Sequence, residues 1–356
     1  MNMKLKIIVA SFLACLFAGC LFAQSLPQAA SERVVKPYVN KLTPKATCRK
    51  AAKAGIILIG GGDTLRACNP CNQSAYNGVK YAEICNLYKR ELGDNVNVYC
   101  MSIPTAIEYY CPDAAKTWTH PEHPVFSNMY AACSDSVLVV NLYNILGEHA
   151  AEPIFSRTDH HWAPRGAYYA AMKLCEVAGV PFKDLSYYDE HIIHRYVGTM
   201  ASFSGESAVK SAPENFIYYT PKNCEYTTTY IQYKTKDRQI IGENPPHEGN
   251  FFQSYPDGSS GAYCTFMAGD SKITQVRTGV KNGRRVIIFK DSFGNAIPGY
   301  LFFSFEEVHV IDFRYFDRNI KKYVQDNKIT DVVFANNLTH SCGGAAVKAY
   351  NRFLVQ

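Results

Sequence analysis

The sequence predicts an α/β fold, a parallel sheet covered by helices and interrupted by a β-rich insertion. Three observations point there. Short apolar runs such as Arg285-Val286-Ile287-Ile288-Phe289 and Asp331-Val332-Val333-Phe334 alternate with helical stretches, and strands buried on both faces read as continuous apolar runs. These runs stop at short polar turns, the place where ligands sit in open α/β sheets. Between residues 186 and 270 the rhythm changes to tyrosine, threonine, glycine and proline, as in Tyr226-Thr227-Thr228-Thr229-Tyr230-Ile231-Gln232-Tyr233. That composition suits short antiparallel strands and loops.

Taken in order, the chain opens with Lys4, Lys6 and an apolar run from Ile7 to about Phe22. Residues 1–23 read as a secretory signal, cleaved after Ala23. A competing reading makes Phe17-Ala18-Gly19-Cys20 a lipoprotein box with Cys20 lipidated, although phenylalanine fits the first box position poorly. No later apolar stretch reaches the length of a membrane span. The expectation is an exported protein, periplasmic or extracellular, with no membrane span.

Residues 24–54 form a polar, lysine-rich lead-in with Pro27, Pro37 and Pro44. Residues 55–185 are the first part of the main domain. Gly55 to Gly60 reads as a strand, and Gly60-Gly61-Gly62-Asp63 as a tight turn at the rim of a site, with Asp63 a candidate for substrate binding. It lacks the lysine and serine/threonine of a phosphate loop. A helix follows over 77–92, a strand over 97–104, a proline-rich loop over 111–130, a strand over 137–140 and a helix over 142–149. Residues 164–175 are a helix with Pro164 in its first turn and Gly179-Val180-Pro181 beyond its end. The insertion spans 186–270, and residues 271–356 complete the domain. There, strands at 286–289, 307–312 and 331–337 and a helix around 318–326 are expected.

Removing the signal from 356 residues leaves about 333, enough for one large domain or two smaller ones. The formal charge of +6 includes two signal lysines, and no dense basic run exists, so nucleic acid is not an expected partner. Of thirteen cysteines, Cys15 and Cys20 lie in the signal, leaving eleven. Many cysteines in an exported chain predict disulfides, with at least one thiol left over. Cys68 and Cys71 form a CxxC. With no second CxxC, a disulfide-stapled loop is expected ahead of a zinc half-site or a redox motif.

Two distant stretches carry the chemistry: Arg157-Thr158-Asp159-His160-His161-Trp162 and Lys290-Asp291-Ser292-Phe293-Gly294-Asn295. Serine is a poor nucleophile unless a base removes its proton and a third group holds that base. Ser292 follows a strand and precedes a helix, the setting of an exposed nucleophile, although serine there also serves as a helix cap. In an extended loop Asp159 and His161 share one side, so His161 is the expected base and Asp159 its orienter. His160 competes for the base role and is also a substrate-binding candidate. A metal site from Asp159, His160 and His161 is disfavoured, since adjacent histidines of an extended loop rarely converge on one ion. No metal and no cofactor are expected. Asn336 is a candidate oxyanion donor beside the Ser292 N–H, or an ordinary turn residue. Arg314 is a candidate for an acidic substrate group, or the partner of Asp312. Asp291 stays unassigned between tuning the site and capping the helix.

These residues carry a resemblance. Thr158-Asp159-His160-His161-Trp162 with Gly166-Ala167-Tyr168-Tyr169, then Asp291-Ser292-Phe293-Gly294-Asn295, Val310-Ile311-Asp312-Phe313-Arg314-Tyr315-Phe316 and Asp331-Val332-Val333-Phe334 resemble the bacterial DHHW family. That family is similar to the SGNH-hydrolase-like proteins that acetylate alginate. The resemblance implies a flavodoxin-like, SGNH-type three-layer sandwich and a triad of Asp159, His161 and Ser292. It further implies an exported serine O-acyltransferase or esterase acting on acetylated carbohydrate through an acyl-serine. Its partners would be a polysaccharide substrate and an acyl-donor protein. A second class of function is a catalytically inactive carbohydrate-binding or scaffold protein of the cell envelope, motivated by the tyrosine-rich insertion.

Overall fold

The computed structural model describes residues 30–237 and 239–356. The signal, the lipoprotein box and the start of the lead-in lie outside the described residues.

Three short strands, β1 (Cys48–Lys50), β2 (Ile57–Ile59) and β3 (Arg66–Cys68), form a separate antiparallel sheet. Then come α1 (Val79–Leu92), β4 (Asn97–Cys100), α2 (His123–Ala132), β5 (Leu138–Val139), α3 (Leu142–Glu148) and α4 (Pro164–Ala178). A hairpin of β6 (Tyr188–Tyr196) and β7 (Glu214–Pro221) encloses α5 (Met200–Ser204). Next are β8 (Tyr226–Ile231), the hairpin β9 (Tyr233–Lys236) and β10 (Gln239–Glu243), and β11 (His247–Glu248). The chain ends with β12 (Ile273–Thr278), β13 (Arg285–Lys290), β14 (Glu307–Asp312), α6 (Ile320–Asp326), β15 (Asp331–Ala335), α7 (Leu338–Ser341) and α8 (Gly344–Val355).

The main sheet has eight strands in the order β11-β8-β12-β14-β13-β15-β4-β5. From β14 to β5 all neighbours are parallel, whereas β12 pairs antiparallel with both β14 and β8. The expected parallel sheet is therefore a mixed one. The linker between β12 and β13 is too short for a parallel crossover, which needs a dozen or more residues, so β12 runs the other way. Residues 186–270 are not wholly set apart either, since β8 and β11 extend the main sheet. The strand expected at 55–60 pairs in the small sheet instead.

Continuous apolar runs explain the centre of the sheet. Every residue of β15 is buried, as are Val286 to Lys290 of β13, so both faces are covered. On one face Tyr88 of α1 and Tyr350 of α8 pack edge-on against Phe289 and Phe334. Helix α4 starts with Pro164 at its first position and stops at Gly179 in the left-handed region, φ 64°, as its sequence predicts. The stretch 111–130 is not a loop. It holds a 3-10 turn at Asp113–Trp118 and helix α2, which has Pro124 in its first turn, where proline starts a helix rather than breaking one.

Candidate active site

The carboxyl ends of β13, β15 and β4 meet at one rim. Strand β13 ends at Lys290, and a 3-10 turn begins at Ser292. Asp291 is the cap of that turn, its side chain accepting the Phe293 N–H. Ser292 is thus the first residue of the turn and not its cap. At Gly294 an added Cβ would lie 2.3 Å from the Lys290 Cβ, so the sharp exit from the strand requires glycine.

The Asp159–His161 segment reaches the same rim by another route. Arg157 to His161 bend rather than extend. Asp159 Oδ1 accepts both the His161 backbone N–H at 2.9 Å and His161 Nδ1 at 2.6 Å. The Asp-x-His pair is therefore an aspartate turn closing on its own second neighbour. Asp159 Oδ2 accepts the backbone N–H and the hydroxyl of Thr199, at 2.8 and 2.9 Å. Glu214, at the start of β7, accepts the N–H groups of Arg157 and Thr158 and the Thr158 hydroxyl, fixing the bend from below.

His161 Nε2 stands 2.8 Å from Ser292 Oγ. The three side chains thus form one hydrogen-bonded series, carboxylate to imidazole to hydroxyl, across segments far apart in sequence. The His161 ring stacks on Tyr263, with centroids 3.8 Å apart and planes 5° apart. Trp162, fully buried, donates its indole N–H to the Phe293 carbonyl at 2.9 Å, and the Tyr263 hydroxyl donates to the same oxygen at 2.8 Å. The residue after His161 therefore clamps the residue after Ser292.

Asp159 is buried. Burial pushes its carboxyl up, but His161, His160 and the Thr199 N–H outweigh that and hold it well below the usual carboxylate range. It is an anion suited to orienting His161 and stabilising an imidazolium. His160 is pushed down to about 4, by burial first and His161 next. Its Nδ1 meets the Thr199 hydroxyl, and its ring lies 5.4 Å from the half-exposed Phe203 at the rim.

Ser292, Asp159 and His160 face a cleft of about 250 Å³. Its walls come from the segment after β3 (Asn69, Asn72, Gln73), from Thr105 and Glu122, and from Asn337 to His340 around α7. Cys68 and Cys71 also line it, and burial pushes both thiols up to about 12, away from thiolate reactivity. All eleven described cysteines are free thiols, so the expected disulfides, the stapled Cys68–Cys71 loop among them, are absent from the described residues. All of them but Cys264 lie in the apolar core or pack against it, where cysteine behaves as a small hydrophobe.

Three other candidates do not join the cleft. The Asn336 amide oxygen accepts the hydroxyls of Tyr81 and Tyr350 at 2.7 and 2.6 Å, and its nitrogen approaches Asp291 at 3.4 Å. It is fully buried and turned into the core, which removes it as an oxyanion donor. Arg314 is consumed by Asp312 and Asp270, at 2.6 and 2.7 Å. Asp63 lies exposed on a 3-10 turn after β2, outside the cleft lining. Ligand atoms of Asp159, His160 and His161 do lie within 4.8 Å of one another, but both His161 nitrogens already face Asp159 and Ser292. Thr199, Tyr263 and His340 went unread in the sequence, and Asp291, left between tuning the site and capping, is the cap of the serine turn. No spacing or motif in the sequence marks Thr199, Tyr263 or His340.

Fold and site together define an α/β protein with an Asp–His–Ser series at the carboxyl rim of a mixed sheet. The chain belongs to the DHHW family: the family's profile, described as DHHW protein, matches residues 46–311. A DHHW family protein from Eubacterium siraeum is 35% identical, with a TM-score of 0.77 over 87% of this chain and 100% of that one. The fold is also similar to Bacillus cereus PatB1 carrying a sulfonyl adduct. That chain is 17% identical with a TM-score of 0.60, and the match covers 85% of this chain and 97% of PatB1. No curated protein matches the sequence. No described helix is long and apolar enough to cross a membrane.

Proposed function

We propose that the protein is an exported, SGNH-like serine O-acyltransferase or esterase that acts on acetylated carbohydrate through an acyl-serine. The observation that carries the reading is the 2.8 Å contact from His161 Nε2 to Ser292 Oγ, backed by Asp159 at 2.6 Å. In this reading Ser292 Oγ attacks an ester carbonyl as His161 takes its proton. Asp159 holds the imidazole tautomer and stabilises the imidazolium. The Ser292 N–H, first in its turn, has no earlier carbonyl of that turn to bond and is the proposed donor to the oxyanion. The alcohol leaves with the proton from His161. A sugar hydroxyl or water then takes the acyl group by the reverse steps.

The small cleft suits a short acyl group, and its neutral polar wall of Asn69, Asn72, Gln73, Asn337 and Thr339 suits hydroxyls better than charged groups. A polysaccharide substrate and an acyl-donor protein belong to this proposal, as does the periplasmic or extracellular setting. The test is turnover of a chromogenic acetyl ester. Ser292→Ala should abolish it, and Asp159→Asn should lower kcat by on the order of 10⁴-fold, as loss of an orienting carboxylate does elsewhere. Equal turnover by wild type and Ser292→Ala rules the nucleophile out.

A further inference from the structure

The cleft that Ser292 faces is lined by a further imidazole, His340, that the steps above leave unused. Asp291, the chain neighbour of Ser292, is fully buried. Its Oδ1 accepts the Phe293 N–H at 3.0 Å, and its Oδ2 accepts the Asn337 N–H at 2.8 Å and faces His340 Nδ1 at 3.0 Å. The Asn336 amide adds a longer contact at 3.4 Å. Burial pushes the Asp291 carboxyl up, but His340 and these N–H groups hold it below its ordinary value. The Asn337 side-chain nitrogen also lies 3.0 Å from His340 Nδ1, and one ring nitrogen cannot serve both. An ionised carboxylate is the stronger partner, so Nδ1 carries the ring proton and donates a hydrogen bond to Asp291 Oδ2. In the neutral ring Nε2 is then a lone-pair acceptor. Among the described residues it has no hydrogen-bond partner, the side chain is 36% exposed, and it lines the cleft that Ser292 faces.

We propose that His340 Nε2 accepts a hydrogen bond from a second hydroxyl of the acyl acceptor, so that the cleft favours polyols over simple alcohols. This rests on the acyl-serine reading. In the transfer step the attacking hydroxyl gives its proton to His161 Nε2. Its oxygen forms a bond to the acyl carbon, the bond from that carbon to Ser292 Oγ breaks, and His161 returns the proton to Oγ. The attacking hydroxyl has no proton left for His340. A hydrogen bond there has to come from another hydroxyl of the same molecule, which a sugar or glycerol supplies and ethanol does not.

The test measures acetyl transfer from a chromogenic ester to glycerol and to ethanol. Wild type should prefer glycerol, and in His340→Asn that preference should fall about tenfold, the worth of one hydrogen bond. Asparagine keeps an N–H for Asp291 and leaves nothing in the place of Nε2. A preference retained in His340→Asn means that His340 only supports Asp291, and overturns the proposal. So does a wild type that transfers to both alcohols equally or to neither. Failure of the acyl-serine reading shows separately, as ester turnover that survives Ser292→Ala. Whatever the ester assay gives, the His340 Cε1–H resonance, identified by its loss in His340→Asn, should shift with glycerol and not with ethanol. A resonance that stays in place in glycerol removes the contact.

Discussion

At the scale of single residues, His160 and Gly198 carry the sharpest consequences. The fold holds His160 neutral down to about pH 4, while the unfolded chain binds that proton near pH 6.5. Between those values the unfolded state holds more protons, so stability rises with pH across the window. The contribution is complete above about pH 6.5 and is lost as pH falls to about 4. Thermal unfolding of wild type and His160→Gln should therefore show the wild type losing more Tm over that interval. Parallel curves contradict the burial assigned to the ring. At Gly198 an added Cβ would lie 2.3 Å from Asp159 Oδ2. Gly198→Ala has to displace the carboxylate that orients His161, and a misplacement near 1 Å costs on the order of 10²-fold in rate. Ester kinetics check this; an alanine variant with wild-type kcat/KM contradicts it.

Among elements, the serine turn depends on the segment that leads into α4. Trp162 and Tyr263 both donate to the Phe293 carbonyl, which is buried with its residue. Either Trp162→Phe or Tyr263→Phe leaves one donor, while the double variant leaves a buried acceptor unpaired, at about 1–3 kcal/mol. A double-mutant cycle by denaturant unfolding should give a loss larger than the sum of the singles. Strict additivity means that the clamp does not exist. Such a link is hard to read from sequence. The Asp-x-His and Asp-Ser patterns stand out because their residue types carry chemistry at fixed spacing. Tyr263 and Thr199 are common residues, and only the fold brings them from the insertion to the site. Asn336 misled for the opposite reason. It sits at a strand end, as a rim donor would, but Tyr81 and Tyr350 reach its amide first.

Across the whole molecule, the α/β class was legible because β13 and β15 are buried on both faces and leave continuous apolar runs. The mixed character of the sheet was less so, since strand direction follows from linker length and not from composition. Disulfides were expected because many cysteines in an exported chain suggest them, whereas the described cysteines are free thiols. A chain with this much buried aromatic core needs no staples. Alkylation of the denatured protein without reductant should label all eleven described cysteines, and any protected pair contradicts their placement as free thiols.

The central claim is that Ser292 is made nucleophilic by His161. The most direct measurement is intact-mass and peptide analysis after reaction with an aryl sulfonyl fluoride. The account predicts a single adduct on Ser292, absent in Ser292→Ala and formed far more slowly in His161→Ala. No adduct, or one that persists in Ser292→Ala, contradicts it.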